Sequence, residues 1–166
     1  MTPITYREHL DGVDWDEMKA TLVQDDFDNG RTPAQLETSF AQSAHVCLAY
    51  AGGRLIGTAR ALSDGICNGY IVDVWTLTAY RRRGIASAMM RRLLDRMPGQ
   101  HVYLFSDDSA DFYKKLGFEE RPVGLEIVVG RWLENAPLPG TSAERLHPTD
   151  LPVLRGEDRV SLPYGR

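Results

Sequence analysis

The chain has 166 residues, of which 43% are hydrophobic and 25% charged, and its formal net charge is −4. This length predicts one domain that buries a core of its own without disulfides or metals. The negative balance gives no reason to expect a nucleic-acid partner, because such binding depends largely on neutralising phosphates.

The cysteines and histidines show no metal-binding pattern. Cys47 and Cys67 lie in no C-x-x-C or histidine-linked spacing, and the four histidines are far apart, so we expect no metal site. No signal-like apolar stretch opens the chain, and no run approaches the ~18 apolar residues of a membrane span. We therefore expect a cytoplasmic protein with reduced thiols and no membrane contact.

Local signals organise the first half of the chain. Asp14 precedes apolar residues at helical spacing and is a suitable N-cap. Thr32-Pro33 suits the start of a second helix, because proline fits the first helical turn. Gly52-Gly53 separates two β-like runs and can supply the positive φ angles of a tight hairpin. The predicted elements are a strand at 4–9, helices at 14–27 and 32–40, and strands at 45–50 and 54–62.

The second half is built around the stretch "YIVDVWTL" at 70–77, which is apolar on both alternating faces. Such a run is typical of a strand covered on both sides, at the centre of a sheet. The next stretch has one apolar stripe at helical spacing. We expect a mixed α/β domain over 1–133 and a proline- and glycine-rich extension over 134–166. The predicted elements here are a strand at 70–77, a helix at 85–97, a strand at 101–105, a helix at 109–116 and a strand at 126–132.

Arginines and a glycine stand between the central strand and its helix, in the sequence "RRRGIA" at 81–86. A helix N-terminus presents unpartnered amides and the positive end of its dipole, so a loop entering it from a central strand suits an anion. Gly84 lets a ligand approach the backbone, and the arginines can reach phosphates at the rim. The turn predicts a pyrophosphate site; the alternative is a helix that begins with solvated arginines. Neither the P-loop nor the G-x-G-x-x-G pattern is present.

A second motif, "FYKKLGF" at 112–118, follows the turn. With both motifs in this order, the chain resembles the GNAT superfamily of acyl-CoA-dependent N-acetyltransferases. Members of that family carry Q/R-x-x-G-x-G/A between strand four and helix three, and then a helix similar to FYxKxGF. The resemblance covers about residues 4–132, including a hairpin at "YAGGRLIGTARAL". It implies a central, mostly antiparallel sheet that is flanked by helices and splayed between strands four and five.

The resemblance also implies acetyl-CoA as cosubstrate. In the family, the pyrophosphate lies on the amides of the signature loop, and the pantetheine arm pairs with the end of strand four. Many members have an asparagine just before the last helix, where this chain offers Ser109. Carried over to this sequence, the predicted cofactor contacts are Val74, Trp75, Thr76, Arg81, Arg82, Arg83, Gly84, Ile85, Ala86, Ser87, Ser109 and Tyr113.

For catalysis, Tyr113 matches the family's usual general acid, which protonates the departing CoA sulfur; the alternative is a core aromatic of an amphipathic helix. The implied oxyanion donor is the amide of Val74. Some members carry a Glu-Asp pair in strand four, and this chain keeps only the second carboxylate, in Val72-Asp73. Asp73 is either an amine anchor or proton acceptor, or a structural aspartate that needs a partner. Tyr70 or a water relay could serve instead.

The acceptor is less defined. Asp25, Asp26 and Asp28 lie in the loop between the first two helices, which usually covers the acceptor site in this family, and would favour a cationic amine unless they are merely solvated. We therefore expect N-acetyl transfer from acetyl-CoA to a primary amine of a small molecule or peptide by direct attack in a ternary complex. The alternative is a non-catalytic acyl-CoA-sensing or regulatory module of the same fold. A homodimer is possible by analogy with the family.

Overall fold

The computed structural model describes residues 2–121, 124–125, 127–128 and 131–135. The chain divides into two compact units, Met1–Glu126 and Ile127–Arg166. In the second unit, an ion pair joins Arg131 Nη1 to Glu134 Oε1 at 3.5 Å. The division predicted at residue 133 stays a prediction, and nearly all of the predicted extension lies outside the described residues.

The elements of the first unit follow the predicted order, with ends that differ by a few residues. They are β1 (Ile4–Arg7), α1 (Trp15–Gln24), α2 (Pro33–Ala41), β2 (His45–Ala51), β3 (Arg54–Ser63), β4 (Asn68–Thr76), a 3-10 turn (Thr78–Tyr80), α3 (Ile85–Asp95), β5 (His101–Tyr103) and α4 (Ala110–Lys114).

Short-range hydrogen bonds define where the first helices begin. The amide of Glu17 donates to Asp14 Oδ1 at 2.8 Å. At α2, the amide of Gln35 donates to the Thr32 hydroxyl at 3.2 Å, and the amide of Thr32 donates to Gln35 Oε1 at 3.0 Å. This reciprocal capping box satisfies two amides that the helix itself cannot pair, and a cap of this kind contributes about 1 kcal/mol.

The five strands form one sheet in the order β1-β2-β3-β4-β5. The first four are antiparallel neighbours, whereas β4 and β5 are parallel. Helix α3 packs against β2, β3 and β4, and helices α1 and α2 pack against each other. The predicted mixed α/β fold, with a mostly antiparallel sheet flanked by helices, is confirmed.

Two strand glycines allow α3 to approach the sheet closely. A Cβ on Gly57 would lie 3.0 Å from the terminal methyl of Met89, and one on Gly69 would lie 2.7 Å from Met97 Sδ. Met89 is fully buried and Met97 is 3% exposed. Full burial of such side chains contributes about 1.5–3 kcal/mol each, and the absent Cβ atoms make room for these two methionines.

The structure differs from the prediction at the end of the sheet. β5 ends at Tyr103 instead of Phe105, because it pairs with only three residues of β4 before the two strands separate. Of the strand predicted at 126–132, positions 126, 129 and 130 lie outside the described residues. The described remainder, at 127–128 and 131–132, is not in a strand.

Candidate active site

The turn between β4 and α3 carries a run of backbone amides without partners. The amides of residues 82–87 donate no hydrogen bond to any described residue, and no side chain caps the helix start at Gly84. Arg82 and Gly84 have φ angles of 62° and 75°, so the chain enters the left-handed region twice before α3 begins. A Cβ on Gly84 would meet no atom within 4 Å, which leaves this side of the turn open.

This arrangement suits an anion. Ile85, the first residue of α3, is 1% exposed, so burial of its side chain holds the helix start while the amides stay unpartnered. Free amides at a helix N-terminus add to a dipole equivalent to about half a positive charge. The turn can therefore hold a phosphate or a pyrophosphate. Ala86 and Ser87, also predicted to contact the cofactor, supply two of these amides.

The three arginines of the turn have different environments. Arg81 turns back toward β4, where its Nε donates to the carbonyl of Thr76 at 3.1 Å. The Arg83 guanidinium lies 5.0 Å from the centre of the Tyr80 ring, and the Arg82 side chain is exposed. Arg82 and Arg83 are thus available to an anion at the rim, whereas Arg81 is engaged with protein groups.

One edge of β4 is open beside this turn. Beyond the three residues that pair with β5, the β5-side edge of Ile71–Thr76 has no strand partner among the described residues. The amide of Leu77 donates toward β3, to the carbonyl of Ile56 at 2.8 Å. Because successive peptide groups alternate in direction, those of Thr76 and Val74 face the open edge. An extended ligand could pair with this edge as an added strand.

Asp73 lies at a β-bulge of β4 with a φ of 53°. Its Oδ2 atom lies 2.8 Å from Arg31 Nη2 and 2.5 Å from Arg60 Nε. The hydroxyl of Thr58 donates to the Asp73 carbonyl at 2.9 Å. No described residue hydrogen-bonds to Oδ1. The carboxylate therefore has the cationic partners that its position in an apolar strand requires, and one oxygen remains open.

Sequence reasoning did not anticipate Arg31 or Arg60. Arg31 is 8% exposed and donates through Nε to Asn29 Oδ1 at 3.0 Å and through Nη1 to the Ser39 hydroxyl at 2.8 Å. Arg60 donates to the Ser43 hydroxyl at 3.2 Å. Together they join the loop before α2, and α2 itself, to the bulge. The sequence indicated only that the Asp73 carboxylate needs a partner, and this requirement does not identify Arg31 or Arg60 as that partner.

Tyr113 lies on α4, which follows β5. Because β5 runs parallel to β4, its carboxyl end and α4 lie at the same end of the sheet as the β4–α3 turn. The Tyr113 ring packs edge-on against Phe112 and Phe118, with centroids at 4.9 and 6.0 Å. Burial, and then the negative charge of Asp108, raise the pKa of Tyr113 above 10.0, so the phenol is protonated at neutral pH. Ser109 donates its hydroxyl to Asp108 Oδ1 at 2.8 Å.

Asp25, a predicted acceptor contact, is enclosed at the end of α1. Its carboxylate is 9% exposed and lies 3.6 Å from Arg81 Nη2. It accepts hydrogen bonds from Trp75 Nε1 at 2.8 Å and from the amide of Thr78 at 3.1 Å. Burial acts to raise the pKa of Asp25, but the hydrogen bonds and the arginine outweigh it and lower the pKa. This carboxylate joins the loop to the turn instead of facing solvent.

The other predicted acceptor contacts are more accessible. Asp26 is exposed, and Asp28 forms an ion pair with Lys19 at 2.5 Å. Tyr70, where the strands begin to separate, packs edge-on against Phe105 at 6.0 Å between centroids. Tyr70 therefore marks the start of the gap between β4 and β5.

A separate pocket of about 280 Å³ lies along the second half of α3, and its lining includes Glu8, His45, Arg92 and Arg96. It contains none of the predicted site residues. Within the part of the chain that the structure describes, no three His, Cys, Asp or Glu side chains gather as a metal site. None of the described helices has the length and apolar character needed to span a bilayer.

The fold is shared with solved acetyltransferase structures. An acetyltransferase of the GNAT family from Streptococcus pneumoniae superposes with a TM-score of 0.65 at 24% identity, over 78% of this chain and 100% of that one. A protein from Clostridium acetobutylicum, described as a predicted acetyltransferase and solved with acetyl-CoA, superposes with a TM-score of 0.57 at 21% identity, over 76% and 96%. At these identities the likeness concerns the fold.

Sequence comparison adds the family. The histone acetyltransferase TAP1 of Glycine max is 41% identical over 78 residues, which are 44% of this chain and 33% of that protein. The chain thus spans about a third of the length of the Glycine max relatives it matches. The profile of the acetyltransferase (GNAT) family matches residues 12–118, which is more than half of the chain and includes the turn, Asp73 and Tyr113. This chain therefore belongs to the GNAT family of acetyltransferases.

Proposed function

We propose that this chain transfers an acetyl group from acetyl-CoA to a primary amine by direct attack in a ternary complex. The observation that carries the proposal is the unpartnered amides of residues 82–87 beside the open edge of Ile71–Thr76. A pyrophosphate on those amides leaves the pantetheine arm to run along β4, held by main-chain hydrogen bonds. The Clostridium acetobutylicum structure with acetyl-CoA has the same fold, which supports this choice of donor.

The proposed reaction joins the acceptor nitrogen to the acetyl carbon and breaks the carbon–sulfur bond. The neutral amine attacks the thioester carbonyl, and the amide of Val74, at the open edge, donates to the oxyanion. The C–S bond then breaks, and Tyr113 gives its hydroxyl proton to the departing sulfur. Its raised pKa supports this role because the phenol keeps its proton at neutral pH.

We assign Asp73 to the acceptor. Both arginines contact Oδ2, so Oδ1 can accept a hydrogen bond from the incoming amine and orient its lone pair. The proton that the nitrogen loses passes to this carboxylate or to solvent. Asp26 and Asp28 remain candidates for attracting a cationic acceptor. The name of the Glycine max relative makes a histone-tail lysine one acceptor to test, beside polyamines, aminoglycosides and amino acids.

Two glycines that flank α3 allow a matched test of the cofactor site. Gly84 and Gly99 both have a φ of 75°, and a Cβ added at either would have no atom within 4 Å. Alanine therefore brings the same backbone strain, about 1–2 kcal/mol, to both positions. Only at Gly84 would the methyl meet a bound pyrophosphate. We expect Gly84→Ala to weaken acetyl-CoA binding in calorimetry by about tenfold or more, which is about 1.4 kcal/mol.

Gly99→Ala is the control and should lower the melting temperature about as much as Gly84→Ala while keeping the affinity of the unmodified chain. The affinities for ATP and NAD, measured as controls, should be the same in Gly84→Ala as in the unmodified chain. Failure of acetyl-CoA to bind the unmodified chain would refute the proposed function. Equal acetyl-CoA affinities of Gly84→Ala and Gly99→Ala would mean that the pyrophosphate does not bind at the turn.

A second candidate is an acyl-CoA-binding module without turnover. The observation in its favour is that two guanidinium groups already compensate the charge of Asp73, which leaves the proton acceptor of the reaction undefined. Release of CoA with an amine of the panel supports the enzyme, whereas binding without release supports the module.

Compartment and assembly remain proposals as well. We propose a reducing, cytoplasmic setting, supported by two free thiols; burial raises the pKa of the Cys47 thiol to about 11 and keeps it protonated. Light scattering tests whether the chain forms the homodimer that the analogy with the family suggests.

A further inference from the structure

In the β4–α3 turn, the amide of Tyr80 donates to the carbonyl of Leu77 at 2.7 Å and that of Arg81 donates to the carbonyl of Thr78 at 3.2 Å, whereas the part that would receive the pyrophosphate has no such amide bonds to described residues. Its amides at 82–87 have no partner among the described residues. Arg82, a non-glycine residue, is held at a φ of 62°, a conformation that costs about 1–3 kcal/mol unless the surroundings impose it. Burial of Ile85 fixes the helix side of the turn. The strand side is fixed by the bonds of the 3-10 turn and by side-chain contacts.

On the strand side, the side-chain contacts converge on one carboxylate. Asp25 accepts hydrogen bonds from Trp75 Nε1 at 2.8 Å and from the amide of Thr78 at 3.1 Å. Thr78 begins the 3-10 turn that leads into the arginines. With its carboxylate 9% exposed, Asp25 has little contact with water and makes its bonds to the protein.

Arg81 completes the arrangement. Its Nη2 lies 3.6 Å from Asp25, and its Nε donates to the carbonyl of Thr76 at 3.1 Å. One guanidinium therefore bridges the end of α1, the open edge of β4 and the turn itself. Such bridging needs the planar fork of arginine, because the ammonium of lysine is a point charge that cannot span two fixed acceptors in the same way.

We propose that Asp25 and Arg81 are positioning residues for the cofactor: together they hold the β4–α3 turn in the form that presents its amides to the pyrophosphate. Neither side chain touches the phosphates. Asp25 also connects the cofactor turn to the loop between α1 and α2, on the predicted acceptor side. This inference rests on the proposed acetyl-CoA site and assigns to both residues roles that differ from those the sequence predicts.

The test measures acetyl-CoA affinity by calorimetry, well below the melting temperature of each variant. Asp25→Asn removes the charge and leaves one acceptor oxygen for two donors, so the affinity should fall about tenfold, as expected for a lost hydrogen bond to a charged group. The acetyl-CoA affinity of Arg81→Lys should fall by a similar factor, although lysine keeps the positive charge. The affinity of the double variant should fall about as far as that of either single variant, because both substitutions disrupt the same arrangement of Asp25 and Arg81.

The matched control is Asp64→Asn, which removes a carboxylate that accepts hydrogen bonds from the amides of Ile66, Cys67 and Asn68 at the other end of β4; its acetyl-CoA affinity should not change. Several results would overturn the inference. A lower melting temperature of Asp25→Asn with unchanged affinity would mean a purely structural role. If Arg81→Lys retains its affinity for acetyl-CoA, Arg81 contacts the phosphates through its charge alone. If the losses of affinity in the two single variants add up in the double variant, the two residues act independently.

The inference and the proposed function fail in different ways. If the unmodified chain does not bind acetyl-CoA, the proposed function fails, and the inference fails with it. If the unmodified chain binds and the variants bind equally well, the inference alone fails. Arg81 is 54% exposed at its side chain, so Arg81→Lys should fold even if Asp25→Asn does not.

Discussion

Two buried threonines should respond in opposite ways to the same substitution. Thr58 is 1% exposed, and its hydroxyl donates to the carbonyl of Asp73 at 2.9 Å. Thr76 is 9% exposed, and its Oγ1 is buried with no hydrogen-bond partner among the described residues. Valine has nearly the same shape as threonine, so each change exchanges a hydroxyl for a methyl without opening a cavity.

The structure sets the expected magnitudes. Thr58→Val removes a hydrogen bond and deprives a carbonyl of its partner, and should lower the free energy of unfolding by about 2 kcal/mol. Thr76→Val removes a buried hydroxyl that has no partner, and should raise the free energy of unfolding by about 1 kcal/mol. For a domain of this size, about 1 kcal/mol corresponds to about 3 °C in melting temperature.

Scanning calorimetry and urea unfolding, with coincident transitions as the check on two-state behaviour, measure both changes. The expected result is a melting temperature about 6 °C lower for Thr58→Val and about 3 °C higher for Thr76→Val. If Thr76→Val destabilises the protein, its hydroxyl has a partner, and the reasoning from an unsatisfied buried group is refuted. Equal shifts of one sign would point to a general effect of valine in these strands.

Three further predictions concern catalysis and packing. Tyr113→Phe should lower turnover by about 100-fold or more and leave the acetyl-CoA affinity unchanged in calorimetry; unchanged turnover would exclude the phenol as the acid. Because burial and Asp108 raise the pKa of Tyr113 above 10.0, the fall of turnover on the alkaline side of a pH–rate profile should come only as the pH rises through that raised pKa, and an alkaline fall near pH 8 would contradict this assignment. Gly57→Ala places a methyl 3.0 Å from Met89 and 3.1 Å from the Trp75 carbonyl, and should destabilise the protein by about 1–3 kcal/mol in urea unfolding; no loss would mean that the helix can shift.

Features that depend on a few consecutive residues were predictable from the sequence. Asp14 and Thr32 cap the helices at which they were expected, because a cap bonds amides only three positions away. The positive φ angles expected at Gly52 and Gly53 are 59° and 87°, since glycine adopts the left-handed conformation of a tight hairpin without a steric cost. The order of strands and helices also follows from the periodicity of apolar residues. The order of the elements as far as α4 and the location of the turn were therefore within reach of these local patterns, whereas the mostly antiparallel sheet was expected from the family resemblance.

The roles of the acidic residues were decided only by the tertiary structure. The sequence predicts Asp25 as a loop carboxylate open to a ligand, yet it accepts a hydrogen bond from the amide of Thr78, 53 positions away. Asp73 was expected to need a partner, and its two arginines come from another strand and a loop. Local sequence sets backbone angles and caps, whereas the partner of a charge depends on which distant segments the register of the sheet brings together. The sequence by itself determined the glycine turn that is the candidate anion site, and only the folded chain decided that Asp25 and Asp73 are paired with distant groups while Asp26 stays exposed.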